Sequence, residues 1–255
     1  ALAILVVPAV EAHVTVLPRE ATAKSAPELT LRVPNEKDVP TESLRVEFPS
    51  ELQVLRFKSL GSGSTGNATL VQASGLRKAR LLIDCGLGLK QLSLRLAQAV
   101  SSDDAPIDAI FITHEHSDHI GCARQFAQRH RVPVWMSRGT YEALGSPDFD
   151  GLLNIAADGQ AIDLGELQFT PFTVPHDARE PLQLSCTDGN AKLGVLTDLG
   201  HATAHVLAHL AGCHALLLEC NHDTDLLAHS SYPPFLKQRV SGRYGHLSNA
   251  AAPET

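Results

Sequence analysis

Between Thr113 and His119 the chain reads Thr113-His114-Glu115-His116-Ser117-Asp118-His119, directly after the apolar run Ala109-Ile110-Phe111-Ile112. Imidazole nitrogens and carboxylate oxygens are the donors that zinc and similar divalent ions take. Groups this polar are too costly to bury without a strong partner, so a satisfied-core reading of the cluster is poor. A strand ending in such a cluster puts metal ligands where α/β folds place their chemistry. The spacing suits two ions. On a tight turn His114 and His116 can point one way while Asp118 and His119 point the other.

Two such sites need further ligands, each again at a strand end. Val174-Pro175-His176-Asp177 follows the strand-like Gln168 to Thr173, and Thr197-Asp198 closes Lys192 to Leu196. Glu219-Cys220-Asn221-His222-Asp223 closes Ala215 to Leu218, and Gly245-His246-Leu247-Ser248-Asn249 comes last.

At this point H-x-H-x-D-H, with a later His, an Asp and a final His, resembles the metallo-β-lactamase-fold hydrolases. Other stretches resemble their YycJ-like branch: Ser59 to Asn67, Leu82-Ile83-Asp84-Cys85-Gly86, Thr197 to His201, Glu219 to Asp223, Tyr232-Pro233, Leu236 to Arg239 and Gly245 to Asn249. The resemblance runs from about Val54 to Asn249. It implies a phosphodiesterase or nuclease related to ribonuclease Z. It assigns His114, His116 and His176 to a first metal ion and Asp118, His119 and His246 to a second, with Asp198 bridging. Asp84 becomes a residue that orients the ligand loop. His222 is read as a substrate or acid/base residue. The implied reaction is two-metal hydrolysis, in which a metal-bound hydroxide attacks phosphorus in line. His222 or Asn249 would stabilise developing charge, and Asp118 would also position the nucleophile. Zinc is the first choice of ion and manganese the second.

Composition constrains the rest. The net charge of −7 argues against tight nonspecific binding to long duplexes. From Gln53 onward there are 16 basic and 20 acidic residues, a balance of −4 that two divalent ions would cancel. A phosphodiester substrate, including single-stranded nucleic acid, therefore stays open, and Lys237, Arg239 and Arg243 before His246 could meet phosphates. The five cysteines are odd in number and lack C-x-x-C spacing, which points to a reducing, cytoplasmic setting for this part. The longest apolar stretch, Ala1 to Val10, is too short to span a membrane.

Two regions are expected, 1–52 and a hydrolase domain at 53–255. The first opens like the tail of a secretory signal, with Val10-Glu11-Ala12 as the cleavage region. From His13 to Pro49 it resembles the opening of YcnI-like (DUF1775) exported copper domains. About 40 residues are too few for a complete sandwich, so the segment is read as a fragment and not an independent domain.

The elements that must position the ligands follow from periodicity. Val54 to Leu60, Thr69 to Ala73, Ala79 to Asp84, Asp108 to Ile112, Val132 to Met136 and Ala215 to Cys220 read as strands. Leu89, Leu92, Leu96 and Ala99 mark a helix, as do Cys122 to His130 and Ala202 to Leu210. Strands in two runs with helices outside fit an α/β chain folded as an αββα sandwich, two facing sheets with helices on the outer faces. Gly61-Ser62-Gly63-Ser64-Thr65-Gly66 matches a dinucleotide fingerprint but leads into a strand, so it is read as a tight turn near the cleft. His201, His205 and His209 share helical spacing. They could form an extra metal site but are read as a solvated face, except His201, which lies three residues after Asp198 and could support the main centre. Two rival functions remain: the same centre acting on a β-lactam, lactone or thioester, and an exported copper module built on His13.

Overall fold

Alternation along the strands sets the layers. In the computed structural model, which describes residues 15–17, 29–32, 55–74, 77–100, 107–218 and 220–251, Leu81, Ile83 and Phe111 turn to one side of their sheet. Their neighbours Leu82, Ile110 and Ile112 turn to the other. The first set meets Phe169, Leu182, Leu184 and Val195 of a second sheet, making the central core. The second set packs against helices. This is the αββα sandwich that the strand pattern implies.

In chain order the elements are β1 Thr15–Leu17, β2 Leu29–Arg32, β3 Arg56–Gly61, β4 Ala68–Ser74, β5 Lys78–Ile83, α1 Leu89–Ala99, β6 Ala109–Phe111, α2 Ser117–Ile120 and α3 Ala123–His130. They continue as β7 Val134–Met136, α4 Arg138–Ala143, β8 Leu153–Ile155, β9 Ile162–Asp163, β10 Gln168–Thr173, β11 Leu182–Thr187 and β12 Lys192–Leu196. The last are α5 Ala204–Leu210, β13 Ala215–Leu218, α6 Thr224–His229 and α7 Pro234–Val240. One sheet has the order β1-β2-β13-β12-β11-β10-β9 and the other β3-β4-β5-β6-β7-β8.

Strands β5 to β8 are parallel neighbours, and β12 is parallel to β13. Strand β10 reaches β12 through two antiparallel pairings, so those two also run the same way. The segments after β10, β12 and β13 therefore emerge at one edge. The peptide N–H of Leu182 donates to Thr113 at 3.0 Å, joining that edge to the loop after β6. Leu92 and Leu96 of α1 and Phe126 of α3 seal the outer face of the six-stranded sheet. Val206 and Leu210 of α5 seal part of the other sheet against Phe172 and Leu196. Burying a side chain of this size contributes about 1.5–3 kcal/mol.

In the N-terminal region the described residues form only β1 and β2. They pair with each other, and β2 adds to β13 in parallel. His13 and the rest of the signal-like segment lie outside the described residues. Among the described residues no helix is long and apolar enough to cross a membrane.

Candidate metal centre

Strand β6 ends at Phe111, and the next residues carry the ligands inward. Asp84, at the end of β5, organises them. Its buried carboxylate accepts from the Thr113 N–H at 2.8 Å, from the Thr113 hydroxyl at 3.0 Å and from His119 Nδ1 at 2.8 Å. Its backbone is left-handed, with φ of 62°, which Asp tolerates better than most residues. Burial raises the Asp84 carboxyl above its ordinary range, opposed by His119 and Thr113.

The imidazoles are fixed from behind. Because the Thr113 hydroxyl donates to Asp84, its oxygen accepts from His114 Nδ1–H, 2.9 Å away. His176 Nδ1–H donates to the carbonyl of Gly245 at 3.1 Å, and His119 Nδ1–H to Asp84. In each ring Nε2 is thereby left facing the cluster. Backing imidazoles with oxygen acceptors is how metal sites set tautomer and orientation. His114, His119 and His176 are all buried.

Two groups of donors result. His114 Nε2 lies 3.0 Å from His116 Nδ1, and His176 Nε2 lies 3.4 Å from that same nitrogen. Tetrahedral zinc with nitrogens at about 2.0–2.1 Å holds them roughly 3.3–3.4 Å apart, so this trio suits a divalent ion. One N–H on His116 cannot satisfy both facing lone pairs, whereas a cation can. In the second group, Asp198 Oδ2 lies 2.8 Å from His119 Nε2, 3.4 Å from His114 Nε2 and 3.8 Å from His176 Nε2. Asp118 Oδ2 stands 3.7 Å from His119 Nε2. His246 reaches the cluster through Asp198: its Nδ1 is 2.9 Å from Asp198 Oδ1 and 2.7 Å from the side-chain nitrogen of Asn221.

The electrostatics follow from this crowding. Burial, and the neighbouring His119, push His114 far below its ordinary pKa, which favours the neutral ring. Burial also lowers His176. Burial would lower His119 as well, but Asp84 and Asp198 outweigh it and hold it well above the ordinary value. Burial would raise Asp198, yet hydrogen bonds from His119 and His246 hold it well below the carboxylate range. Asp84 and Asp198, 2.8 Å from the two ring nitrogens, thus favour positive charge on His119.

The residues expected to build the site, His114, His116, Asp118, His119, His176, Asp198 and His246, are brought together. His222 and Asn249 lie beside it. The Asn249 N–H donates to the His222 carbonyl at 2.8 Å, within a bridge that pairs His222 with Ser248. His222 Nδ1 is buried with no hydrogen-bond partner among the described residues. Burial, then the charge of His246, lowers its pKa. Asp223, in the same stretch, caps α6. Glu219 lies outside the described residues.

Several supporting residues are not visible from ligand spacing. Asn67 donates through Nδ2 to the Asp118 carboxylate at 3.3 Å, and its own N–H donates to the Asp118 carbonyl at 2.7 Å. The glycine turn therefore braces the ligand loop, which is the role its placement near the cleft left unspecified. A Cβ on Gly86 would sit 1.7 Å from that same carbonyl oxygen. Gln183 clamps the Thr197-Asp198 backbone, accepting from the Thr197 N–H at 3.0 Å and donating to the Asp198 carbonyl at 3.3 Å. Asp177 stands 3.4 Å from His176 Nε2 and pairs with the Arg239 guanidinium. That pairing raises the Arg239 pKa. The three histidines at helical spacing separate: α5 begins at Ala204, so His201 lies before it and donates to the Arg243 carbonyl at 2.8 Å. His205 and His209 stay on the helix.

The family model described as "Beta-lactamase superfamily domain" matches residues 79–254. The protein named exodeoxyribonuclease YycJ of Bacillus anthracis is 33% identical over 203 residues, covering 78% of this chain and 75% of that one. Exodeoxyribonuclease WalJ of Streptococcus pneumoniae is 31% identical over 199 residues, covering 76% and 72%. Among solved structures, the metallo-beta-lactamase fold protein YhfI of Bacillus subtilis superposes with a TM-score of 0.55 at 19% identity, over 75% of this chain and 73% of that one. PqqB of Methylobacterium extorquens gives 0.53 at 16%, over 76% and 70%. The two solved structures bear on fold alone.

Proposed function

Since the chain belongs to the beta-lactamase superfamily, we propose that it is a metal-dependent hydrolase that cleaves phosphodiesters in single-stranded nucleic acid. The observation that carries the reading is the backing of His114, His119 and His176 by oxygen acceptors, which turns three Nε2 atoms toward one space. In this reading His114, His116 and His176 hold one divalent ion, most simply zinc. Asp118, His119 and His246 hold a second, and Asp198 is shared. When bound, such a pair supplies Lewis acidity, lowering the pKa of water from 15.7 to about 7 and polarising the phosphoryl oxygens.

The chain's own residues do the rest. Asp118, steadied by Asn67, orients the attacking group and accepts its hydrogen bond. Arg239, kept charged by Asp177, meets the phosphate at the rim. His222, drawn toward its neutral form by burial, is the residue read as contacting the substrate or leaving oxygen. Asn249 holds His222 in place through the backbone.

A nucleic-acid strand is favoured over a small ester by the surface beside the rim. Phe235 precedes Arg239 by four residues on α7, so the two share a face. It is 72% exposed, and Tyr232 and Tyr244 are also exposed. Exposed aromatics next to a cation that reaches the site are what stacked bases and their phosphates need. The named relatives, both exodeoxyribonucleases, support the same substrate class. Five buried free thiols support a reducing compartment.

Side-by-side turnover of bis-p-nitrophenyl phosphate, a single-stranded oligodeoxynucleotide and nitrocefin tests the proposal. Zinc-dependent cleavage of the first two is expected. Hydrolysis of nitrocefin alone would overturn it.

A further inference from the structure

Away from the centre, α5 carries His205 and His209 one turn apart, and Asp158 from the turn after β8 stands beside them. One donor atom from each lies within 4.8 Å of the others. Asp158 Oδ1 is 2.9 Å from His205 Nε2. The same oxygen accepts the Thr173 N–H at 2.7 Å, which fixes the carboxylate. His209 is fixed by stacking on Phe172, with ring centroids 4.9 Å apart and planes 15° from parallel. The two imidazoles lie 4.7 Å apart at 67°.

We propose that Asp158, His205 and His209 form a separate, peripheral zinc site. Two imidazoles and a carboxylate are a zinc donor set that leaves the fourth tetrahedral position for water. The site is open to solvent, Asp158 and His205 being 43% and 45% exposed, so an ion can enter directly. Lys192 Nζ, the nearby cation, is engaged by the carbonyls of His209 and Ala211 at 2.7 and 2.9 Å.

The placement gives the ion a structural role. Through Asp158 and His209 the site grips Thr173 and Phe172, which end β10 shortly before His176. Through α5 it grips the helix that follows Asp198. The two arms are already tied by packing of Phe172 against α5 and by the Gly200 N–H donating to the Pro175 carbonyl at 2.8 Å. A peripheral ion would add a further tie between segments that carry two members of the catalytic cluster.

The test compares the intact chain with His205→Ala/His209→Ala and with His209→Gln, which keeps a planar group against Phe172. Zinc per chain is measured after equilibration with excess zinc, and Tm with and without it. One fewer ion in both variants is expected. A zinc-dependent Tm rise of about 5–10 °C at a hundredfold excess over Kd should be lost with that ion. His116→Ala, which disrupts the catalytic cluster, should retain the peripheral ion. Equal zinc content and equal Tm shift in the intact chain and His209→Gln would overturn the proposal.

Discussion

Replacing Asp84 with asparagine removes one negative charge and changes almost nothing else in shape. Asparagine also tolerates the left-handed backbone that this position requires, so strain does not confuse the result. Asp84 accepts from the Thr113 N–H, the Thr113 hydroxyl and His119 Nδ1, all at 2.8–3.0 Å. The amide keeps one acceptor oxygen and turns an NH2 group toward donors, so at least one of these bonds is lost. Hydrogen bonds to a charged group contribute about 1.5–3 kcal/mol each. The imidazole that loses its acceptor is His119, and Thr113 in turn holds His114. Loss of such a supporting partner typically weakens metal binding 10- to 100-fold. That is about 1.4–2.7 kcal/mol. The assay is zinc competition against a chromophoric chelator, with bis-p-nitrophenyl phosphate turnover on the same sample and Tm as a control for folding. A folded Asp84→Asn protein with zinc affinity and turnover within twofold of the parent would rule out this supporting role for Asp84.

Other outcomes follow from the same contacts. Phe235→Ala should raise KM for a single-stranded oligonucleotide about 5- to 150-fold, the range for one lost base stack, while kcat/KM for bis-p-nitrophenyl phosphate stays constant; equal losses on both substrates would count against stacking. Gly86→Ala drives a methyl into the Asp118 carbonyl, so it should lower stability by about 1–3 kcal/mol and reduce kcat, read by thermal melts and turnover. Metal binding at pH 7 should release about one proton, because Asp84 and Asp198 hold His119 protonated in the metal-free chain. Calorimetry in two buffers of different ionisation enthalpy measures it. The sign is fixed: a folded pKa above about 6.5 stabilises the metal-free protein fully below that pH and less as pH rises through the folded value. Zinc affinity should accordingly climb over the same range.

The sequence carried the donors more clearly than what holds them. The apolar run before His114 and the strand-like stretches before His176 and Asp198 marked all three as strand-end residues. Strands β10 and β12 have the bounds that their apolar patterns suggested. Asn67, Gln183 and Asp177 escaped because each acts through a contact across 14 to 62 residues, and no local pattern records such pairings. The glycine turn was legible as a turn. Its function was not, since only the fold brings Asn67 to Asp118. Helical spacing was misleading for His201: the spacing continues N-terminally past Thr203, but Thr203 caps α5 and ends the helix there.

The proposed centre holds two ions and works only through them. Metal content and phosphodiester turnover should be measured together on His205→Ala/His209→Ala protein, so that no peripheral ion enters the count, with and without an added Asp198→Ala change. Two ions per chain with turnover are expected in the first sample, and loss of both ions' full occupancy and of turnover in the second. Undiminished turnover in the chelator-stripped Asp198→Ala protein would contradict it.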